Sequence, residues 1–348
     1  MKQTPLFATM NVTSKNLYNS SNLLSTGSMA GASVHLSKQK GIIVNKEKEY
    51  TEFLSEILKR VEEKYEGKVK GEICHSVKNN GVLVTGLLLK GEEKRVAPSF
   101  YLEQQFSEWT HGRCSLEEIT KRLCETYEEE VKRSSHLVSE IKFEWEEFRR
   151  NVFMRLVNKE KNKELLNEIP HQEFMDLALL FYYSVPISGG MLGTLIITKE
   201  HLGILNISEE ELYQAAKSNC ERFRPAKVCC MEEVVCDLAK KLGVDVQEAC
   251  SNYPFLYVLT NSSGMFGAVA MIFEEELESF SKRINNSFYV LPSSVHEVIL
   301  VPACKEFCVE YFAAMVREIN ETQVDPTEVL SDSIYYYDKN LKRIRRVA

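Results

Sequence analysis

The sequence predicts an α+β protein: antiparallel hairpins with helices packed on one face, in two lobes joined by an amphipathic helix. Three observations carry that prediction. β-like runs come in pairs around tight-turn residues, as Lys70–Val77 and Val82–Leu89 do around Asn79-Asn80-Gly81. Runs of helical period separate the pairs, and two of them open on Ser-x-x-Glu capping boxes, Ser115 with Glu118 and Ser208 with Glu211. A densely charged stretch, 128–150, keeps Ile141, Trp145, Phe148 and Val152 at helical spacing, as a connector helix between lobes requires.

The elements follow in order. Residues 1–40 are rich in Ser, Thr and Asn and have no sustained period, so they read as a disordered leader. Order is expected from Glu47, where Tyr50, Phe53, Leu54, Ile57, Leu58, Val61 and Tyr65 make one apolar stripe ending at Gly67. The first hairpin follows, then a short helix over Tyr101–Trp109 and a capped helix to about Tyr127. These elements form an N-terminal lobe, 47–135, and 136–348 form the C-terminal lobe.

The second lobe opens with Phe174–Val185, whose apolar run fits either a buried helix or a strand, and Leu192–Lys199 reads as its antiparallel partner. The Ser208 helix has Leu212, Ala215, Ala216 and Asn219 on one face, and a helix is expected over Met231–Leu242. Strands are expected at Phe255–Thr260, Phe266–Phe273, Phe288–Leu291, Val295–Val301 and Ser333–Tyr337. Helices are expected at Glu274–Ile284 and Cys304–Ile319, the latter with Cys304, Phe307, Cys308, Tyr311, Met315 and Ile319 on its apolar face.

Composition narrows the function. The 348 residues carry a formal net charge of −7, but the first 46 contain five lysines and no acid, so the remainder carries −12. A body that acidic disfavours nucleic-acid binding, which rewards clustered Lys and Arg. The ten cysteines are dispersed through a long chain, which fits reduced thiols in a cytoplasmic setting better than a disulfide scaffold. No apolar run approaches the roughly 18–20 residues that span a bilayer. The expectation is therefore a cytoplasmic protein with no membrane association.

Several stretches carry a resemblance: "KNNGVLVTGLLL", "APSFYLE", "NEIPHQEFMDLALLF", "YVLPSSVHEVILVP" and "VREINETQVDPTEVLSDSIYYYD". Together, over roughly residues 47–340, they resemble an uncharacterised family of bacterial proteins typical of Gram-positive anaerobes and described only as a domain of unknown function. The C-terminal half resembles, more weakly, a second uncharacterised bacterial family. Neither resemblance implies an activity, a cofactor or a catalytic residue.

The chemically suggestive run is Pro292-Ser293-Ser294-Val295-His296-Glu297. Its His-Glu pair lacks the second histidine of a zinc-protease helix, because Leu300 stands where that ligand would be. Ser294 and His296, two apart, would share a strand face and could pair as nucleophile and base, with an acid from elsewhere in the fold. The competing reading makes Pro292, Ser293, Ser294, His296 and Glu297 a hairpin corner, structural or partner-binding. In it, proline presets the turn, Ser294 is a solvent-facing hydroxyl, and His296 or Glu297 fastens the corner to a neighbour.

Cys229, Cys230 and Cys236 lack the paired Cys-x-x-Cys knuckles of a zinc site, and neither glycine cluster has a phosphate-loop context. Tyr335-Tyr336-Tyr337 reads as packing, and "LKRIRR" as a solvated basic terminus. The reading that results is a non-enzymatic interaction or regulatory protein with a protein partner, no cofactor and no metal. A Ser294/His296 hydrolase is the alternative.

Overall fold

A computed structural model of the protein describes residues 11–13, 36–91, 99–140, 143–187, 191–233, 256–292, 294–304 and 308–348. The chain divides into two compact units: 1–77 with 83–141 and 185–193, and 78–82 with 142–184 and 194–348.

The first unit contains β1 (Asn11–Thr13), α1 (Leu36–Lys64), β2 (Val69–Val77), β3 (Leu83–Gly91), β4 (Ser99–Phe100), α2 (Glu103–Thr110) and α3 (Leu116–Glu140). The leader expected over 1–40 therefore includes a short strand and the start of α1, which begins at Leu36 rather than near Glu47. Once a helix is nucleated, each added residue gains a hydrogen bond for little further ordering, and no proline stands between 36 and 46 to stop it.

β2 and β3 pair in antiparallel register from Val69↔Gly91 to Val77↔Leu83. Their connection turns through positive φ at Asn80 (62°) and Gly81 (69°), which the Asn-Gly pair accommodates. Leu54, Ile57 and Val61 of α1 and Ile119, Leu123 and Cys124 of α3 are buried against Leu87 and Leu89 of β3. The Ser115 capping box forms as its sequence implies: Glu118 N donates to Ser115 Oγ at 3.2 Å, and Ser115 N donates to Glu118 Oε2 at 2.9 Å. From that cap α3 runs unbroken to Glu140, so the helix expected to end near Tyr127 and the connector expected over 128–150 are not separate elements. The run Glu128–Lys132 consists of helix-compatible residues without glycine or proline, so nothing in it breaks the helix.

The second unit begins with α4 (Trp145–Phe148), a 3-10 turn (Arg149–Asn151) and β5 (Val152–Asn158). Val152, expected on the connector helix, instead starts a strand. There follow α5 (Lys163–Glu168), β6 (His171–Phe174), β7 (Leu177–Ile187), β8 (Met191–Ile196), α6 (Lys199–Leu205), α7 (Glu209–Phe223) and β9 (Ala226–Cys230), with 185–193 of β7 and β8 counted in the first unit. The ambiguous run from Phe174 resolves into β6 and β7, with Met175 at φ 56° in the turn between them. Of the helix expected over Met231–Leu242, residues 234–242 lie outside the described residues, as do Cys236, Gly189 and Gly190.

The remainder is β10 (Tyr257–Asn261), a 3-10 segment (Gly267–Ile272), α8 (Glu274–Ile284), β11 (Phe288–Leu291), β12 (Val298–Pro302), α9 (Val309–Thr322), β13 (Tyr335–Asp338) and β14 (Arg343–Arg346). In place of the strand expected over Phe266–Phe273 there is the 3-10 segment Gly267–Ile272, with Ala268, Val269, Ala270 and Met271 all buried. An apolar run buried on every side has no period to separate strand from helix. α9 also differs: Phe312, Ala313 and Val316 are buried, whereas Tyr311 is 67% exposed and Ile319 39%. The helix thus packs through a face one position removed from the expected one.

Sheet order is β2-β3-β4 in one sheet, β14-β13-β11-β12-β10-β9 in a second, and β1-β8-β7-β5 in a third, with β6 also pairing with β7. The registers of β5 and β6 on β7 and of β9 to β14 are antiparallel, which makes the fold α+β.

Candidate functional site

β11 and β12 pair from Phe288↔Pro302 to Leu291↔Ile299, so residues 292 and 294–297 lie at the corner between them rather than in a strand. The face-sharing argument for Ser294 and His296 lapses with the strand. Pro292 is buried, and Ser293 lies outside the described residues. Ser294 is only 2% exposed, not solvent-facing as its turn position suggests. Its Oγ donates to Glu297 Oε1 at 2.9 Å and accepts from His296 N at 3.0 Å. Burial raises the Glu297 carboxyl above the usual carboxylate range, against the opposing hydrogen bond from Ser294.

The imidazole of His296 turns away from Ser294. Its Nδ1 accepts from Phe266 N at 3.2 Å, which leaves the proton of the neutral ring on Nε2, 3.4 Å from Glu328 Oε1. Backbone bonds complete the corner: Thr260 Oγ1 donates to His296 O at 2.8 Å, and Val295 N to Glu328 O at 2.9 Å. Next to Phe266 the fit is too close for a side chain. A Cβ on Gly267 would lie 2.6 Å from Asn261 N and from His296 O. Ser294, His296 and Glu297 are therefore brought together, but no nucleophile–base pair is formed.

The Phe266 ring joins this corner to one face of the third sheet. It stacks on His296 at 5.5 Å and meets Tyr182 edge-on at 5.1 Å, and the Arg155 guanidinium lies over it at 4.9 Å. Phe266 itself sits at φ 53°, ψ 31°, an outlier for so bulky a residue, held by its bond to His296. Arg224, at the end of α7, is 8% exposed. Its Nη2 donates to Ser184 Oγ at 3.0 Å, its Nη1 donates to Tyr182 Oη, and its guanidinium lies 3.8 Å over Phe153. Burial lowers the Arg155 pKa to about 10. That leaves the group charged at neutral pH.

A surface groove of about 740 Å³ lies beside α7, walled by Trp145, Arg149, Arg150, Gln214, Arg222 and Phe223. Phe223 is 53% exposed, with the Arg222 guanidinium over its ring at 5.0 Å. The groove has a firm floor because Asn219 Nδ2 donates to Arg149 O at 2.7 Å and to Val152 O at 2.9 Å. Among the described residues no group of three His, Cys, Asp or Glu is placed to hold a metal ion, and no helix is long and apolar enough to cross a membrane.

Sequence reasoning passed over Arg155 and Arg224. The available signal for Arg155 is a lone cation inside the apolar strand Val-Phe-Met-Arg-Leu-Val, where a strand interior offers no solvent for its charge. Arg224, before a proline at the end of a helix, carries no such signal. No curated protein and no solved structure matches the chain. A family model matches residues 50–339, and the chain belongs to that family, a family of unknown function (DUF5688).

Proposed function

We propose that this member of a family of unknown function is a non-enzymatic, cytosolic interaction protein, and that a protein partner docks in the groove beside α7. The observation that carries this reading is the bonding of the corner. Ser294 Oγ is occupied by Glu297 and by a backbone N–H, and both imidazole nitrogens of His296 face other groups. The rival reading needs Ser294 and His296 in hydrogen-bond reach as nucleophile and base, and the His296 ring is turned elsewhere. In the groove, by contrast, an exposed phenylalanine and Arg222 stand beside half-buried Trp145, the residue types that dominate binding energy at interfaces. Cysteines dispersed as free thiols support the cytosolic setting.

The test uses the full chain as bait in native-host lysate, in parallel with a broad esterase and peptidase screen. Wild type and Ser294→Ala should capture the same stoichiometric partner, and a Trp145→Ala/Phe223→Asp variant with an unchanged circular-dichroism spectrum should lose it. A hydrolysis that Ser294→Ala and His296→Ala both abolish while remaining folded would establish the rival reading, a hydrolase with Ser294 and His296 at its centre.

A further inference from the structure

Two guanidinium groups converge on one face of the third sheet, and among the described residues no acid meets them. Arg155 stands opposite Leu180 in the β5–β7 register, and Phe153 opposite Tyr182. Residues two apart on a strand share a face, and directly paired residues project to the same side, so Phe153, Arg155, Leu180 and Tyr182 line one surface. Arg224 reaches the same surface through its bond to Tyr182 Oη.

The charges on this surface do not balance. Among the described residues the buried Arg155 Nε has no hydrogen-bond acceptor, although the residue keeps part of its surface open. Arg224 is met by two hydroxyls, both neutral. Among the described residues no carboxylate pairs with either arginine. Aromatic rings lie under both, Phe266 beneath Arg155 and Phe153 beneath Arg224, but a ring quadrupole offsets only part of what a cation loses on leaving water.

Hydrogen bonding is equally one-sided. A guanidinium has five N–H donors and no acceptor. Tyr182 and Ser184 each accept from Arg224, which leaves their own hydroxyl hydrogens to be given. The surface is thus built of donors around two positive charges. Phe266, held in its left-handed conformation by His296 and followed by a glycine with no room for a Cβ, fixes the ring on which Arg155 rests.

We propose that this face is an oxyanion site that takes the phosphate group of a ligand, with Arg155 and Arg224 as its cationic forks and Tyr182 as a further donor. A phosphate carries close to two negative charges at neutral pH and accepts from several donors at once, matching two guanidiniums better than a singly charged carboxylate does. The site does not depend on the groove or on its partner.

Thermal unfolding of the full chain in inorganic phosphate tests this, with sodium acetate and sodium chloride at matched ionic strength as the other arms. Phosphate should raise Tm above both salts, with the rise growing as the logarithm of concentration once the site fills. Arg155→Leu removes an uncompensated charge and keeps apolar bulk, so its Tm without phosphate should be unchanged or higher while the phosphate-dependent rise is lost. Arg155→Lys keeps the charge without the planar fork and should weaken phosphate binding about tenfold by calorimetric titration. An arginine with a purely structural role would give the opposite: a lower Tm for Arg155→Leu and no response to phosphate. An equal rise in acetate, no phosphate-specific rise in wild type, or full phosphate affinity in Arg155→Lys would overturn the proposal. The Arg155→Lys titration decides the matter if Arg155→Leu does not fold.

Discussion

Asp176 and Arg155 are charged residues of the same unit, and the chain treats them in opposite ways. Asp176, in the turn between β6 and β7, accepts from Ser331 Oγ at 2.6 Å and from Tyr335 Oη at 2.8 Å, one hydroxyl on each carboxylate oxygen. Tyr335 is fully buried, and burial raises its phenol well above the ordinary value. Arg155 has an aromatic ring beneath it and, among the described residues, no hydrogen-bond acceptor for its buried Nε. A charge whose bonding capacity is filled by the chain itself acts as a fastener. A charge left open keeps its donors available for something the chain does not provide. Glu297 lies between these cases, with one hydroxyl donor and enough burial to raise its carboxyl.

The largest effect that would break this comparison is expected at Asp176. Asp176→Ala strips the acceptor from a buried phenol and a buried hydroxyl, and should cost about 3 kcal/mol in denaturant unfolding. A cost near zero would mean that the two hydroxyls find water or other partners, and the contrast with Arg155 would lose its basis. Ser294→Ala comes next, at about 1–2 kcal/mol, because it removes a donor from Glu297 and an acceptor from His296 N together. Were Ser294 only a solvent-facing turn hydroxyl, the same substitution would leave the unfolding midpoint where it was.

The smallest effect concerns pH. Burial raises the Glu297 carboxyl, the Ser294 hydrogen bond and His296 oppose the rise, and Glu328 adds to it. The folded state therefore holds this proton more tightly than the unfolded chain does. Its contribution to stability is full below the unfolded value of about 4.3 and is lost as pH rises through the folded value. Glu297→Gln keeps an acceptor for Ser294 but has no proton to lose. Its Tm should fall less than that of wild type as pH is raised across that window. Parallel pH profiles for the two proteins would show that Glu297 is solvated well enough to titrate normally, and would move it to the side of Asp176.

Legibility in the sequence followed the range of the interactions. Both capping boxes, the Asn80-Gly81 turn and α8 (Glu274–Ile284) could be read because each is decided by residues within a turn or two of one another. The corner residues Ser294, His296 and Glu297 could be singled out, but not how they bond. The orientation of His296 depends on Phe266 N, thirty residues earlier in the chain, and on Glu328 in a later loop. The run Phe266–Phe273 is illegible for the same reason: its residues are buried together, and the groups that crowd Gly267, Asn261 and His296, lie outside it. α9 shows the limit of periodicity: its apolar residues admit two neighbouring faces, and only the partner surface of Leu291, Val301 and Ile334 selects Phe312, Ala313 and Val316.

By itself the sequence determined the α+β class, most of the hairpins and helices, and the acidic character of the body, because these depend on local propensity, period and charge count. Which polar residues are satisfied and which stand open was decided only by tertiary structure. Arg155, inside an apolar strand, and Asp176, in a turn, are each flanked by apolar residues, and nothing within a few residues says which of them will find partners. Ser331 and Tyr335 reach Asp176 across more than 150 residues, whereas Arg155 is met by the ring of Phe266. Satisfaction of a buried charge is a property of the groups folded around it, and those groups are assembled from distant parts of the chain.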